Sequence, residues 1–140
     1  MKGKTLSRWK SYASTTILQN QTVWAGAGAI ELPCSSPFYI ITAANPYGIR
    51  FHWLINRFNH YCLFLALLIV GGSMPIALTG VSQDGRWKDS SWGSALINKT
   101  TALLLAKLFL QEAIFELTPG HQRLLDAQGT VRSIMPRCRP

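Results

Sequence analysis

The sequence predicts a single small α+β domain, in which a mostly antiparallel sheet carries two helices on one face, as in a ferredoxin-like fold. Of its 140 residues, 48% are hydrophobic and 14% are charged, a composition that suits one globular domain and is too apolar for disorder. From Phe38 onward the predicted elements follow the order strand, helix, strand, strand, helix, strand, which is the split βαβ pattern.

Segments rich in β-branched and aromatic residues mark the predicted strands. Residues 14–18 and 22–25 are expected to form two short strands around a polar turn. Residues 38–43 form the clearest strand, which ends at an Asn-Pro turn signal. Residues 74–81 form the next strand, and residues 92–97 are expected to return beside it after an Asp-Gly turn.

Two amphipathic helices separate these strands. The first covers about residues 50–69, and an apolar stripe at helical spacing is expected to be its buried side. This stripe consists of Phe51, Leu54, Ile55, Phe58, Cys62, Leu65 and Ile69. The second helix begins at Asn98, whose side chain can cap the free amides of the first turn. Its expected buried stripe is Ala102, Leu105, Ala106 and Phe109. Residues 113–117 and 122–125 form the last two strands.

Positive charge concentrates at the two ends of the chain. The sequence has 14 Lys and Arg against 6 Asp and Glu, a net charge of +8. We therefore divide it into a basic arm over residues 1–12, the domain over residues 13–128 and a basic tail over residues 129–140. A positive field attracts polyanions. One alternative function is therefore a nucleic-acid-binding accessory protein that uses Lys2, Lys4, Arg8, Lys10, Arg137 and Arg139, together with scattered aromatic residues.

The cysteines favour a reducing compartment. Cys34, Cys62 and Cys138 lie far apart and in no metal-ligand spacing. This pattern predicts neither a disulfide framework nor a zinc site, so we expect a cytoplasmic protein with no metal and no cofactor. The N-terminal segment has no apolar core of the kind that a secretory signal needs.

One segment raises the question of a membrane. Residues 58–83 contain no Asp, Glu, Lys or Arg. The continuous apolar run within them is short, because it extends only from Tyr61 to Val70 and stops at two glycines. A run of about 10–14 residues is typical of a buried core helix. Membrane attachment through residues 58–83 is therefore a second alternative, and a spanning helix is not the expected outcome.

Two patterns in the first half of the domain occur together. The first is a strand that ends in Thr42-Ala43-Ala44-Asn45-Pro46. The second is a helix with an early Asn, then a His, then leucines, at positions Asn56, His60, Leu63 and Leu67.

Two further patterns follow in the second half. One is the stretch Asp84-Gly85-Arg86-Trp87-Lys88-Asp89-Ser90-Ser91, and the other consists of Phe109, Gln111, Ala113 and Ile114. In this order and spacing, residues 38–117 resemble a bacterial domain-of-unknown-function family, number thirty-two ninety-three. Asp89 stands where that family has Glu, a side chain one methylene longer, and the region before Asn56 is shorter. The resemblance implies a fold boundary and a soluble domain, but no activity.

Five polar residues form the candidate site. They lie at strand ends or on helices, and they are Asn45, Asn56, Asp89, Ser91 and Gln111. The functional hypothesis places them around one pocket, where amides and a carboxylate orient a small polar ligand. The structural alternative gives each an ordinary role, in which Asn45 makes a turn, Asp89 or Ser91 braces a loop, and Gln111 ends a helix.

The evidence for catalysis is weak. His52, His60 and His121 are the only histidines in the sequence, and no two of them have the three- or four-residue spacing that lets helical side chains meet. The glycines lack the continuation that makes a phosphate-binding loop. The sequence therefore favours a non-catalytic binding or accessory domain over an enzyme.

Overall fold

The computed structural model describes residues 9–10, 12–32, 37–44, 50–72 and 74–139. Nine strands of this part of the chain form one sheet. They are β1 (Thr16–Gln19), β2 (Thr22–Ala27), β3 (Phe38–Thr42), β4 (Ile76–Val81), β5 (Lys88–Ser94), β6 (Ala113–Leu117), β7 (His121–Asp126), β8 (Val131–Pro136) and β9 (Cys138–Arg139). The helices α1 (Trp53–Gly71) and α2 (Lys99–Leu108) pack against it.

The sheet closes on itself almost completely. Its strands lie in the order β8-β7-β6-β3-β5-β4-β1-β2-β9, and neighbours are antiparallel except for the parallel pair β2 and β9. Only Arg137 separates β8 from β9 along the chain. One continuous segment therefore pairs with β7 at one edge and with β2 at the other, which makes the sheet a nearly closed barrel.

The expected ferredoxin-like open sheet, with two helices on one face, is wrong, although the α+β class fits in part. The four strands of the expected pattern lie together in the order β6-β3-β5-β4. Beyond them, β7 and β8 extend the edge at β6, while the β1–β2 hairpin extends the edge at β4. Unpaired edges are open to pairing with other chains, and the near closure through β8 and β9 shortens both of them.

Residues 131–136 form β8 and residues 138–139 form β9, whereas the sequence pattern favoured a basic tail over residues 129–140. Exposed and partly buried side chains alternate along β8. Its exposed side chains include Val131 and Ile134 as well as Arg132, so composition alone does not mark the strand. The strand is held by its pairing with β7 from His121 to Leu125.

Arg137 joins the two ends of the barrel wall. It is only 3% exposed, and its backbone carbonyl accepts a hydrogen bond from the amide of Gly26 in β2. Its guanidinium donates to three backbone carbonyls, those of Trp24, Ile30 and Pro119. A planar guanidinium with several donors can satisfy carbonyls from separate segments at once. Arg137 therefore stabilises the closure.

Strand β3 separates an inner core from an outer core. Phe38 and Ile40 point into the barrel, and Tyr39 and Ile41 point out of it. The inner core also contains Ile17, Trp24, Ala25, Leu32, Leu78 and Leu117. The outer core contains residues of both helices, namely Leu63, Leu67, Ala102, Leu105 and Ala106. Burial on both faces explains why β3 is a continuous apolar run.

Helix α1 packs on the barrel with a different side from the one expected. Leu63 and Leu67 are 0% and 1% exposed. Most of the stripe predicted to be buried faces outward instead, with at least half of the side chain exposed at Leu54, Phe58, Leu65 and Ile69. Because α1 is apolar on nearly every side, periodicity could not identify the face that packs.

The N-cap and the buried stripe predicted for helix α2 are both confirmed. The Asn98 Oδ1 accepts a hydrogen bond of 2.8 Å from the amide of Thr101, so Asn98 is the N-cap. The expected stripe packs into the outer core, with Ala102, Leu105 and Ala106 buried and Phe109 partly buried. The cap and the stripe together position α2 beside β3 and β6.

Helix α1 is long and apolar enough to cross a bilayer. It has 19 residues and a mean hydropathy of 1.4, and only 11% of its most apolar window is buried. It is therefore not the buried core helix that its ten-residue apolar run indicated. Length and composition alone do not make it a spanning helix.

Candidate functional site

The end of β3 is the point around which the candidate residues lie. The Thr42 Oγ1 donates to the carbonyl of Ser90 at 2.9 Å and accepts from the amide of Ala44 at 3.1 Å. These two bonds fix the direction in which the chain leaves the strand. Asn45, the next residue, lies outside the described residues.

Gln111 braces this strand end from the other side. Its side chain is buried, and Nε2 donates to the carbonyl of Ala44 at 3.1 Å and to that of Phe109 at 3.2 Å. The side-chain amide therefore uses both of its N–H donors on backbone atoms. Gln111 thus holds the segment after α2 against the residue that precedes Asn45.

Asp89 and Ser91 lie in β5 and not in a loop, because this strand begins four residues before the predicted Trp92. Ser91 is buried and pairs with Thr42 and with Leu78, a residue of the inner core. Since side chains alternate across a strand, Ser91 and Asp89 share the barrel side of β5. The Asp89 Oδ2 accepts from the Trp87 Nε1 at 2.6 Å.

A charged aromatic contact caps the same end of β5. The Arg50 guanidinium lies 4.7 Å from the centre of the Trp87 ring, which is a cation–π geometry. Arg50 directly follows the segment 45–49, and Trp87 directly precedes β5. The contact therefore joins the start of the α1 segment to the strand that carries Asp89.

His60 and Asn56 lie on the inner side of α1, four residues apart and therefore neighbours on the helix surface. The His60 ring stacks on Trp92 with 4.4 Å between centroids and 15° between planes. The Trp92 Nε1 donates to the carbonyl of His60 at 2.9 Å. The Asn56 Nδ2 donates to the carbonyl of Phe51 at 3.4 Å. The two contacts with Trp92 fix the inner side of α1 on the outward face of β5.

The His60 imidazole has an unusual environment. Its Nδ1 is buried, and no described residue gives it a hydrogen-bond partner. Burial lowers the pKa of the His60 imidazole below its ordinary value, so the ring is neutral near pH 7. A neutral imidazole has one nitrogen that donates and one that accepts. His60 can therefore form a hydrogen bond that the described part of the protein does not provide.

The predicted site residues are divided between two sides of the sheet. Asp89 and Ser91 face the barrel, Asn56 faces the outer core, and Gln111 braces the end of β3 between them. Sequence reasoning left out His60 and Trp92 as site residues. His60 stood within the family-like pattern, but nothing in the local sequence indicated that Trp92 would stack on it.

The next features are the residues that could bind a metal ion or nucleic acid. Among them no group of three or more His, Cys, Asp or Glu could hold a metal ion. Arg137 and Arg139 serve the fold, since the Arg139 Nη2 donates to the Thr15 carbonyl and to the Gln122 Oε1. Lys10 is exposed. The remaining candidates for nucleic acid, Lys2, Lys4 and Arg8, lie outside the described residues.

Comparison with known proteins identifies the family. No curated protein and no solved structure gives a significant match. A family model described as "Protein of unknown function (DUF3293)" matches residues 41–114, which is 74 of the 140 residues. The matched segment contains the end of β3, all of α1 and β5, and Gln111. It therefore includes every residue of the candidate site. The chain belongs to the DUF3293 family, whose function is unknown.

Proposed function

We propose that the protein is a non-catalytic binding domain, which holds a small polar ligand at the inner side of α1 through His60. The observation that carries the proposal is the buried Nδ1 of His60 without a described partner. Native proteins pair nearly all of their buried polar groups, and an unpaired one costs about 1–3 kcal/mol. A site that binds a ligand accounts for such a cost.

The surroundings of His60 support a polar ligand. Asn56 precedes it by one turn on the same side of α1, and an amide can both donate and accept. Trp92 fixes the imidazole by stacking and by its bond to the His60 carbonyl. Gln111, Thr42 and Asp89 then act as braces of the strand end, and Asn45 remains a candidate ligand contact. Preorganisation of this kind reduces the entropy lost on binding.

The test replaces the imidazole with a ring that keeps the stacking but has no nitrogen. His60→Phe should bind no ligand, and the unliganded variant should be more stable than the wild type by about 1–3 kcal/mol, because the unpaired atom is gone. The measurement is urea unfolding at pH 7.5, followed by a thermal-shift screen of small polar metabolites. A ligand at ~100 Kd should add about 3 kcal/mol to the wild type, or roughly 10 °C in Tm.

The matched control is His121→Phe, at an exposed histidine of β7. It should leave the stability and every ligand-induced shift unchanged. The proposal fails if His60→Phe lowers the stability, since the imidazole would then serve the fold. It fails equally if the compounds that stabilise the wild type stabilise His60→Phe by the same amount.

A further inference from the structure

A second surface of the molecule lies on the opposite side of α1 from His60. We define the outer helical face as the apolar side chains that point away from the barrel, each more than half exposed: Leu54, Phe58, Tyr61, Leu65 and Ile69 of α1, with Leu104 and Leu108 of α2. On α1 these residues recur every three or four positions, so they form one continuous stripe. Contiguous apolar patches of this kind mark interaction sites on soluble proteins.

The charged residues of the two helices all have one sign. Neither α1 nor α2 contains Asp or Glu. The Arg57 guanidinium lies 5.9 Å from the centre of the Tyr61 ring, at the border of the stripe. Lys107 is exposed in the last turn of α2, beside Leu108. An apolar surface bordered by cations, in a chain of net charge +8, is complementary to an anionic surface that has an apolar interior.

The packing of α1 excludes a spanning orientation of the folded protein. Leu63 and Leu67 are buried in the outer core, and the Trp92 Nε1 is bonded to the His60 carbonyl. Crossing a bilayer would break these contacts, whereas lying along its surface keeps them all. A second copy of the chain is a poorer occupant, because it would bring further cations to the face without any acidic partner on either helix.

We propose that the outer helical face docks onto the surface of a bilayer that contains anionic lipid, with α1 parallel to the membrane plane. The apolar stripe enters the boundary between headgroups and acyl chains, and Arg57 and Lys107 meet the anionic headgroups. Trp53, 62% exposed at the start of α1, and Tyr61 are amphipathic aromatic residues of the kind that prefer this boundary. This inference is independent of the ligand site, which lies on the other side of the helix.

The experiment is co-sedimentation of the purified protein with vesicles. One set contains phosphatidylcholine and phosphatidylglycerol, and the other contains phosphatidylcholine alone. We expect binding to the anionic vesicles that weakens as salt is raised, and much weaker binding to the neutral ones. Leu65→Glu should reduce the affinity for anionic vesicles on the order of tenfold or more, since it removes a leucine that enters the bilayer and adds a charge that the anionic headgroups repel.

The matched control is Ile30→Glu, which adds the same charge at an exposed isoleucine after β2, four places from β3 in the sheet order. It should bind vesicles nearly as well as the wild type, and urea unfolding should show both variants folded. Equal loss in the two variants, or no sedimentation of the wild type with anionic vesicles, overturns the proposal. So does a wild-type dimer in vesicle-free ultracentrifugation that Leu65→Glu dissociates, because the face would then join two copies.

Discussion

Replacing Arg137 with alanine is expected to lower the free energy of unfolding by about 3–6 kcal/mol. The guanidinium is buried and donates to the carbonyls of Trp24, Ile30 and Pro119. Each carbonyl left unpaired costs about 1–2 kcal/mol, and the three carbonyls belong to separate segments. Since domains of this size are stable by about 5–15 kcal/mol, the loss is a large part of the total.

The measurement is urea unfolding at pH 7, followed by tryptophan fluorescence. Arg86→Ala is the control, because that side chain is 88% exposed, and it should change stability by less than about 0.5 kcal/mol. Arg137→Lys should recover only a small part of the loss, since an ammonium lacks the planar set of donors. If Arg137→Ala is no more harmful than Arg86→Ala, Arg137 does not stabilise the closure.

The second large effect is expected from Leu67→Ala, which should cost about 2–5 kcal/mol. Leu67 is 1% exposed in the outer core, and truncation there removes burial and leaves a cavity. Leu65→Ala makes the same chemical change two residues earlier on the same helix, where the side chain is 55% exposed. Apart from the effect of helix propensity, Leu65→Ala should lower the free energy of unfolding by less than about 0.5 kcal/mol.

Urea unfolding of the two variants side by side separates the two faces of α1, because helix propensity contributes equally to both. A larger loss for Leu65→Ala than for Leu67→Ala would mean that the stripe predicted from periodicity is the packed one. Equal losses would mean that both sides of the helix are covered. Either result would mean that the outer helical face is not an exposed surface of the protein.

Local elements could be predicted where local chemistry decides them. The aromatic and β-branched run that ends at Thr42 forms β3, and Asn98 caps α2 as its side chain suggested. The residues around the turn near Asn20 form the β1–β2 hairpin. Each of these depends on residues a few positions apart, so the signal is complete within one segment of sequence.

Closure of the barrel could not be predicted, because it depends on segments from opposite ends of the chain. Gly26 of β2 pairs with Cys138 of β9, and Arg137 reaches carbonyls in three different segments. No local pattern in β8 or β9 encodes those partners, and the arginines indicated a solvated tail. The packed side of α1 could not be predicted for a related reason. Contacts with Trp92, and not hydrophobic periodicity, orient the helix.

The candidate site shows the same division. Asn56 and Gln111 were recognisable as polar residues at special places, and the structure places Gln111 on the backbone of Ala44, beside the strand end. The importance of His60 depends on burial by another element, which sequence spacing alone does not give. Its position within the family-like pattern was the one available signal.

Thiol labelling tests most directly whether one side of α1 packs on the nearly closed barrel while the other side is bare. The native cysteines would first be replaced by serine, and Leu65→Cys and Leu67→Cys would then be made separately. A maleimide in native buffer should modify Leu65→Cys at a rate near that of the unfolded chain, and Leu67→Cys at least ~100-fold more slowly, because its labelling requires local opening. Similar rates at the two positions, or faster labelling of Leu67→Cys, would contradict this packing of α1.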